Sequence, residues 1–186
     1  MGHTYGTWLP GDPRGFRTRH HREHIEGDYK NPPPKGKFEG LHRYSKSVMR
    51  RPPVHLRDDQ RPLILRLLME SFSRRGIEVV TGCVDSVHFH VLARFPDRRA
   101  DHWVGIAKKE SSHFAKEAGN CPVGGLWAAG GKCVPITDRG HQLATARYIL
   151  DHQSQAAAVW FRGRLLGAAN SRLAQGASSQ GFGLEK

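Results

Sequence analysis

The stretch Ile77-Glu-Val-Val-Thr-Gly-Cys-Val84-Asp85-Ser86-Val87-His88-Phe89-His90-Val91-Leu-Ala-Arg-Phe95 decides how this chain folds. It reads as two β-rich runs, 77–84 and 86–95, separated only by Asp85, and a gap that small makes an antiparallel hairpin the simplest connection. Side chains alternate along a pleated strand, so Val87, Phe89 and Val91 share one face while His88 and His90 share the other. The apolar set can enter a core. The two imidazoles then converge on a single point above the opposite face, which is half of a divalent-metal site.

Working outward, Asp58 and Asp59 open a helix with Pro62 tolerated in its first turn, an apolar stripe of Ile64, Leu67, Leu68 and Phe72, and Gly76 as its stop. On the other side, residues 101–118 place Trp103, Ile106, Ala107 and Phe114 at helical spacing, with Lys108, Lys109 and Lys116 elsewhere, before Gly119-Asn120 ends the pattern. A Gly-rich turn region at 124–131 leads to a strand predicted over Lys132–Ile136, and Thr137 is read as the cap of a third helix running to about Gln155. At the start of the chain, His3–Leu9 reads as a strand closed by the turn Pro10-Gly-Asp-Pro-Arg-Gly15.

The order β, α, β, β, α, β, α predicts an α+β, ferredoxin-like split βαβ fold. This is a four-stranded antiparallel sheet with helices on one face, and a late helix crosses the open face that shows His88 and His90. Residues 1–160 make one domain. Within it, 16–56 is a basic, Pro-rich excursion holding at most one short helix, and 161–186 is expected to be a flexible tail by its Gly, Ala, Ser and Gln content.

The late helix carries His141, Thr145, Tyr148 and His152 as a polar stripe, opposite Leu143, Ala146 and Leu150, which are expected to pack. A phenol and a third imidazole thus lie one turn apart on one face. Three neutral imidazoles suit a transition-type divalent ion, while an open coordination position with a phosphate ligand would admit magnesium or manganese. Beside such an ion a phosphodiester oxygen is polarised, and Tyr148 becomes a candidate nucleophile. His20, His21 and His24, set among arginines, read instead as a solvated basic loop.

Composition points to the partner. The 186 residues carry 29 Lys and Arg against 17 Asp and Glu, a net charge of +12, with 12 basic and five acidic side chains in residues 1–57. Such an excess favours a polyanion, nucleic acid above all, over an acidic small molecule. Three cysteines without CxxC spacing suggest neither a zinc knuckle nor a disulfide framework. No apolar run reaches the roughly 18 residues of a membrane span, so no membrane partner and a cytoplasmic location are expected.

The combination of Thr4-Tyr-Gly-Thr-Trp-Leu-Pro-Gly-Asp-Pro-Arg-Gly15, His88-Phe-His90, Lys108-Lys-Glu-Ser-Ser112, Gly125-Leu-Trp127 and Arg147-Tyr-Ile149 with His152 resembles the single-tyrosine HUH transposases, over roughly residues 3–160. It looks closest to the branch associated with repetitive extragenic palindromes. The resemblance implies a metal bound by His88 and His90 and completed by a polar residue four positions after the tyrosine, here His152, where relatives often carry Gln or Asn. Gln153 and Gln155 are alternatives under another helix register. It further implies a 5′-phosphotyrosine link from Tyr148 to single-stranded, hairpin-forming DNA, with magnesium or manganese as cofactor and a homodimer as one possible assembly. Lys108, Lys109, Arg147 and Arg14 are the expected phosphate contacts, and Trp8, Phe16 and Trp127 the expected stacking surfaces. The competing expectation is a domesticated DNA-binding protein of the same fold that no longer cuts.

Overall fold

The computed structural model describes residues 1–17, 24–25 and 34–166. Its elements in chain order are β1 (Gly2–His3), β2 (Phe16–Arg17), β3 (His24–Ile25), α1 (Glu39–Ser47), α2 (Arg61–Ser73), β4 (Glu78–Val84), β5 (His88–Arg94), α3 (Ala100–Glu117), α4 (Arg139–Asp151), a 3-10 turn (His152–Gln155), β6 (Ala158–Phe161) and β7 (Arg164–Leu166). Five strands form one antiparallel sheet in the order β1-β5-β4-β6-β7, and β2 pairs with β3 in a separate ribbon. The architecture is therefore α+β, with five strands in the main sheet where four were expected.

The β4–β5 hairpin forms at the predicted place. Val84 pairs with Phe89 and Cys83 with His90, and the Asp85 N–H donates to the His88 carbonyl at 3.0 Å to close the turn. Its period-two pattern sorts the two faces as the sequence implies. Val84 and Phe89 enter a core made with Ile64, Leu65, Leu68 and Phe72 of α2 and with Val104 and Ala107 of α3. The opposite face holds Cys83, Leu92 and Val159 beneath Ile149 of α4.

The predicted strand at Lys132–Ile136 is not formed. Residues 131–137 form no regular secondary structure and are exposed, and Pro135 lacks the N–H that a paired position would need. The additional strands come after α4, where Ala156 adopts φ 61° and turns the chain back into the apolar run Ala158-Val-Trp-Phe161. That run pairs with β4 and then hairpins into β7, so residues 161–166 belong to the sheet; the tail expected beyond them lies outside the described residues. The first strand is also shorter than predicted. After His3 only Thr4 makes a bridge, to Trp127, before Gly6 at φ 74° bends the chain away.

Two helices start or face differently from expectation. The cap of α4 is Asp138, whose carboxylate accepts from the His141 N–H at 2.8 Å, while Thr137 donates its hydroxyl to the same side chain. Along α3 the buried stripe is Val104, Ala107, Lys108, Ser111 and Ala115, with Phe114 outside it at 37% exposed. Within 16–56, α1 is the one helix among the described residues. His20 and His21 of the histidine cluster, and the His24 side chain, lie outside the described residues.

Candidate metal centre

Pleat and helix period together bring His88, His90 and His152 into a group whose ligand nitrogens all lie within 4.8 Å of one another. His88 and His90 rise from one face of β5. His152 reaches them from the point where α4 tightens into its 3-10 turn. Ile149, 1% exposed, is the anchor that seats this helix on the sheet. It was not among the residues expected to pack, whereas Leu143, which was, is 49% exposed.

Hydrogen-bond partners fix which nitrogens are available. The His88 Nδ1 lies 2.7 Å from a carboxylate oxygen of Asp85, and the His152 Nδ1 lies 2.8 Å from the Tyr148 carbonyl. Both partners are acceptors, so both Nδ1 atoms carry the proton and both Nε2 atoms present lone pairs. These two Nε2 atoms stand 3.4 Å apart. Two lone pairs so close repel unless a proton or a cation lies between them. His90 supplies the matching observation: its Nε2 is buried with no hydrogen-bond partner, at a position where an orphaned polar atom is costly. Burial, reinforced by His88 and His152, pushes the His90 pKa down to about 3, so its imidazole is neutral and ready to donate a lone pair. The donor set fits a divalent metal.

Asp85 is the residue that reading the sequence for ligands missed. One carboxylate oxygen accepts the Val87 and His88 N–H groups, each at 2.7 Å, while the other takes the His88 imidazole. Burial raises the Asp85 pKa, but these hydrogen bonds outweigh it and hold the carboxyl below its usual range. The result is a carboxylate–histidine pair of the kind that orients metal ligands. An acidic residue three positions before an HxH, in a gap this short, was the available signal.

Tyr148 stands beside the centre. Its ring centroid is 5.2 Å from that of His90 and 4.7 Å from that of His152, and the side chain is 54% exposed, within reach of a large ligand. Gln153 and Gln155 follow on the 3-10 turn, and it is His152 that joins the imidazole cluster.

The expected DNA contacts divide. Trp8 is 37% exposed and joins the centre through a ladder of flat groups: His3 pairs with His88 in the sheet with ring centroids 5.9 Å apart, Trp8 stacks on His3 at 5.0 Å, and the Arg14 guanidinium lies 4.5 Å over Trp8. Burial, then the neighbouring His88 and Arg14, lowers the His3 pKa to about 4. Arg14 is held rigid by both oxygens of the buried Asp12 carboxylate and by the Thr7 carbonyl at 2.7 Å. Lys109 and Arg147 are exposed.

The others are engaged inside the fold. Lys108 is 8% exposed, and its ammonium donates to the carbonyls of Ala128 and Gly130, tying the Gly-rich segment to α3. Trp127 packs edge-on against Phe89 and donates its Nε1–H to Ser111 at 2.9 Å, while Phe16 is 2% exposed. Helical position explains Lys108, which shares a face with Val104 and Ser111 and so points inward whatever its charge. No helix among the described residues is long and apolar enough to cross a membrane. No protein-family model, curated protein or solved structure matches this chain.

Proposed function

We propose that the chain is a divalent-metal-dependent endonuclease and strand transferase of the single-tyrosine HUH kind, acting on single-stranded DNA next to a hairpin. The observation that carries the reading is the meeting of three imidazoles with an exposed phenol, supplied by β5 and by α4, which are far apart in sequence. The α+β sheet, with α2 and α3 on one face and α4 on the other, agrees with a ferredoxin-like frame for such a site.

His88, His90 and His152 would hold the ion. Bound there, magnesium or manganese would supply positive charge to a non-bridging phosphate oxygen as negative charge builds on it. The rest falls to the chain's own groups. The Tyr148 oxygen attacks phosphorus, the bond from phosphorus to the 3′ oxygen of the preceding nucleotide breaks, and the phenol proton is balanced by protonation of that departing oxygen. The products are a 5′-phosphotyrosine and a free 3′ hydroxyl. Attack of a 3′ hydroxyl on the same phosphorus reverses the exchange and releases the phenol, so strands are rejoined without a nucleotide cofactor. Arg14 and Trp8 flank the centre and suit a phosphate and a base of the bound strand, with Lys109 and Arg147 adding exposed positive charge.

The test is a labelled single-stranded oligonucleotide carrying a hairpin, incubated with manganese or magnesium and resolved under denaturing conditions. A protein–DNA adduct mapped by mass spectrometry to Tyr148, and lost in Tyr148→Phe, is the expected result. Cleavage that persists in Tyr148→Phe overturns the assignment.

A further inference from the structure

Among the described residues the group formed by His88, His90 and His152 includes no carboxylate and no thiol; its donors are three imidazole nitrogens. The carboxylate that touches one of them, Asp85, is occupied elsewhere, with one oxygen on the Val87 and His88 N–H groups and the other on His88 Nδ1. Such a donor set discriminates between ions. Magnesium is a hard cation that takes oxygen ligands, whereas imidazole suits zinc, copper, iron and nickel, and manganese stands lowest in the order of first-row affinities for a given site.

The spacing of the nitrogens makes the same choice. His88 Nε2 and His152 Nε2 stand 3.4 Å apart. A tetrahedron with zinc–nitrogen bonds of about 2.0–2.1 Å has edges of about 3.3–3.4 Å. An octahedron with bonds of that length, the arrangement magnesium demands, sets neighbouring corners only about 2.9 Å apart. His90 Nε2, buried without a hydrogen-bond partner, is available as a third corner. The outer partners agree. A carboxylate 2.7 Å from His88 Nδ1 and a main-chain carbonyl 2.8 Å from His152 Nδ1 fix both tautomers and make both rings stronger donors, as the partners of zinc-bound histidines do.

We propose that the centre is selective for a four-coordinate transition ion, binding zinc and cobalt before manganese and taking magnesium poorly, and that its third nitrogen, from His152, creates this preference. With His88 and His90 alone the chain would offer two nitrogens, and an oxygen in third place would suit a harder ion. The inference deepens the nuclease reading and rests on it for the use made of the ion: three protein donors leave a fourth position for a phosphate oxygen, as in catalytic zinc sites.

The full chain, stripped of metal by chelator and exchanged into metal-free buffer, is titrated with cobalt(II) and followed by visible absorption. Intense bands of four-coordinate cobalt, saturating at one equivalent and abolished by one equivalent of zinc, are expected. Competition against a chromophoric chelator then ranks the ions, and zinc should bind about thirtyfold or more tighter than manganese. His152→Gln exchanges one nitrogen donor for an amide oxygen; it should weaken zinc by about tenfold or more and leave manganese within about threefold. Thermal melts of the metal-free proteins check that the variant is folded, and the wild-type measurements decide the matter even if it is not. Replacing His20, His21 and His24 by Gln should change none of these values. Weak bands of six-coordinate cobalt, a smaller preference for zinc, a preference unchanged in folded His152→Gln, or a signal that follows His20, His21 and His24 overturns the proposal. If the zinc preference is found but no tyrosyl adduct forms with any ion, the nuclease reading fails and the selectivity stands. If an adduct forms with magnesium and zinc binds no tighter than manganese, the nuclease reading stands and the selectivity fails.

Discussion

Replacing Asp85 by Asn separates the support of a ligand from the support of the fold. In the native hairpin one Asp85 oxygen accepts two backbone N–H groups at 2.7 Å and the other accepts from His88 Nδ1 at 2.7 Å. Asparagine keeps the first oxygen, so the turn retains its acceptor, weakened by loss of charge; the expected cost is about 1 kcal/mol, or 2–4 °C in Tm for a chain of this size. The amide nitrogen faces His88 as a donor. The imidazole then favours the tautomer with its proton on Nε2, which removes the lone pair aimed at His152, 3.4 Å away. Losses at such outer carboxylates run to 10–100-fold in metal affinity, about 1.4–2.7 kcal/mol. Isothermal titration of manganese into wild-type and Asp85→Asn protein, beside a thermal melt of each, measures both quantities. An unchanged metal affinity refutes the tautomer argument, and a melt lowered by 10 °C or more would show that Asp85 serves the turn and not the ligand.

Lys108→Met keeps the buried stem and deletes the ammonium that holds Ala128 and Gly130, leaving two carbonyls short of a donor; a loss of about 1–3 kcal/mol in chemical denaturation is expected, with no change in the salt slope of DNA binding. A fall in that slope would restore Lys108 as a phosphate contact. Acid sensitivity of the metal-free protein follows from His90 and His3, which stay neutral in the folded state down to about pH 3 and about pH 4. The unfolded chain protonates both near pH 6.5, so it binds more protons below that value and stability declines as pH drops from 7 toward 4. By pH 5 the loss is on the order of 1–2 kcal/mol per imidazole. Denaturation in chelator at pH 7.5 and pH 5.0 should show this trend, and His90→Asn should flatten it; a wild-type profile that does not change with pH contradicts the burial assigned to these rings.

How much of this was legible beforehand depends on which forces act locally. The β4–β5 hairpin was readable because alternation over Val84–Val91 and a connection as short as Asp85–Val87 leave few other pairings. The imidazole cluster was readable for the same reason, since the periods of strand and helix fix which side chains share a face. The segment 132–136 misleads because the β-branched Val134 and Ile136 carry a strand signal even where proline and exposure forbid pairing, while Ala158–Phe161, four residues just past the helical turn that ends at Gln155, is too short a run to announce itself as a strand. Whether the chain reverses at Ala156 is decided by the open edge of β4, a partner more than 70 residues away. Lys108 shows the same limit: charge predicts a surface, but packing of α3 puts its stem inside. Asp85 was visible as a turn residue, and its second task appears only when the imidazole it orients is seen beside it.

The interval between Tyr148 and His152 acts as a ruler. One residue contributes the phenol from its side chain and, from its main chain, the oxygen that orients the third ring. Lengthening or shortening that interval by a single position would turn one side chain about 100° around the helix from the other and break the hydrogen bond that orients the ring, so the phenol and the third imidazole keep their relation only while four residues separate them.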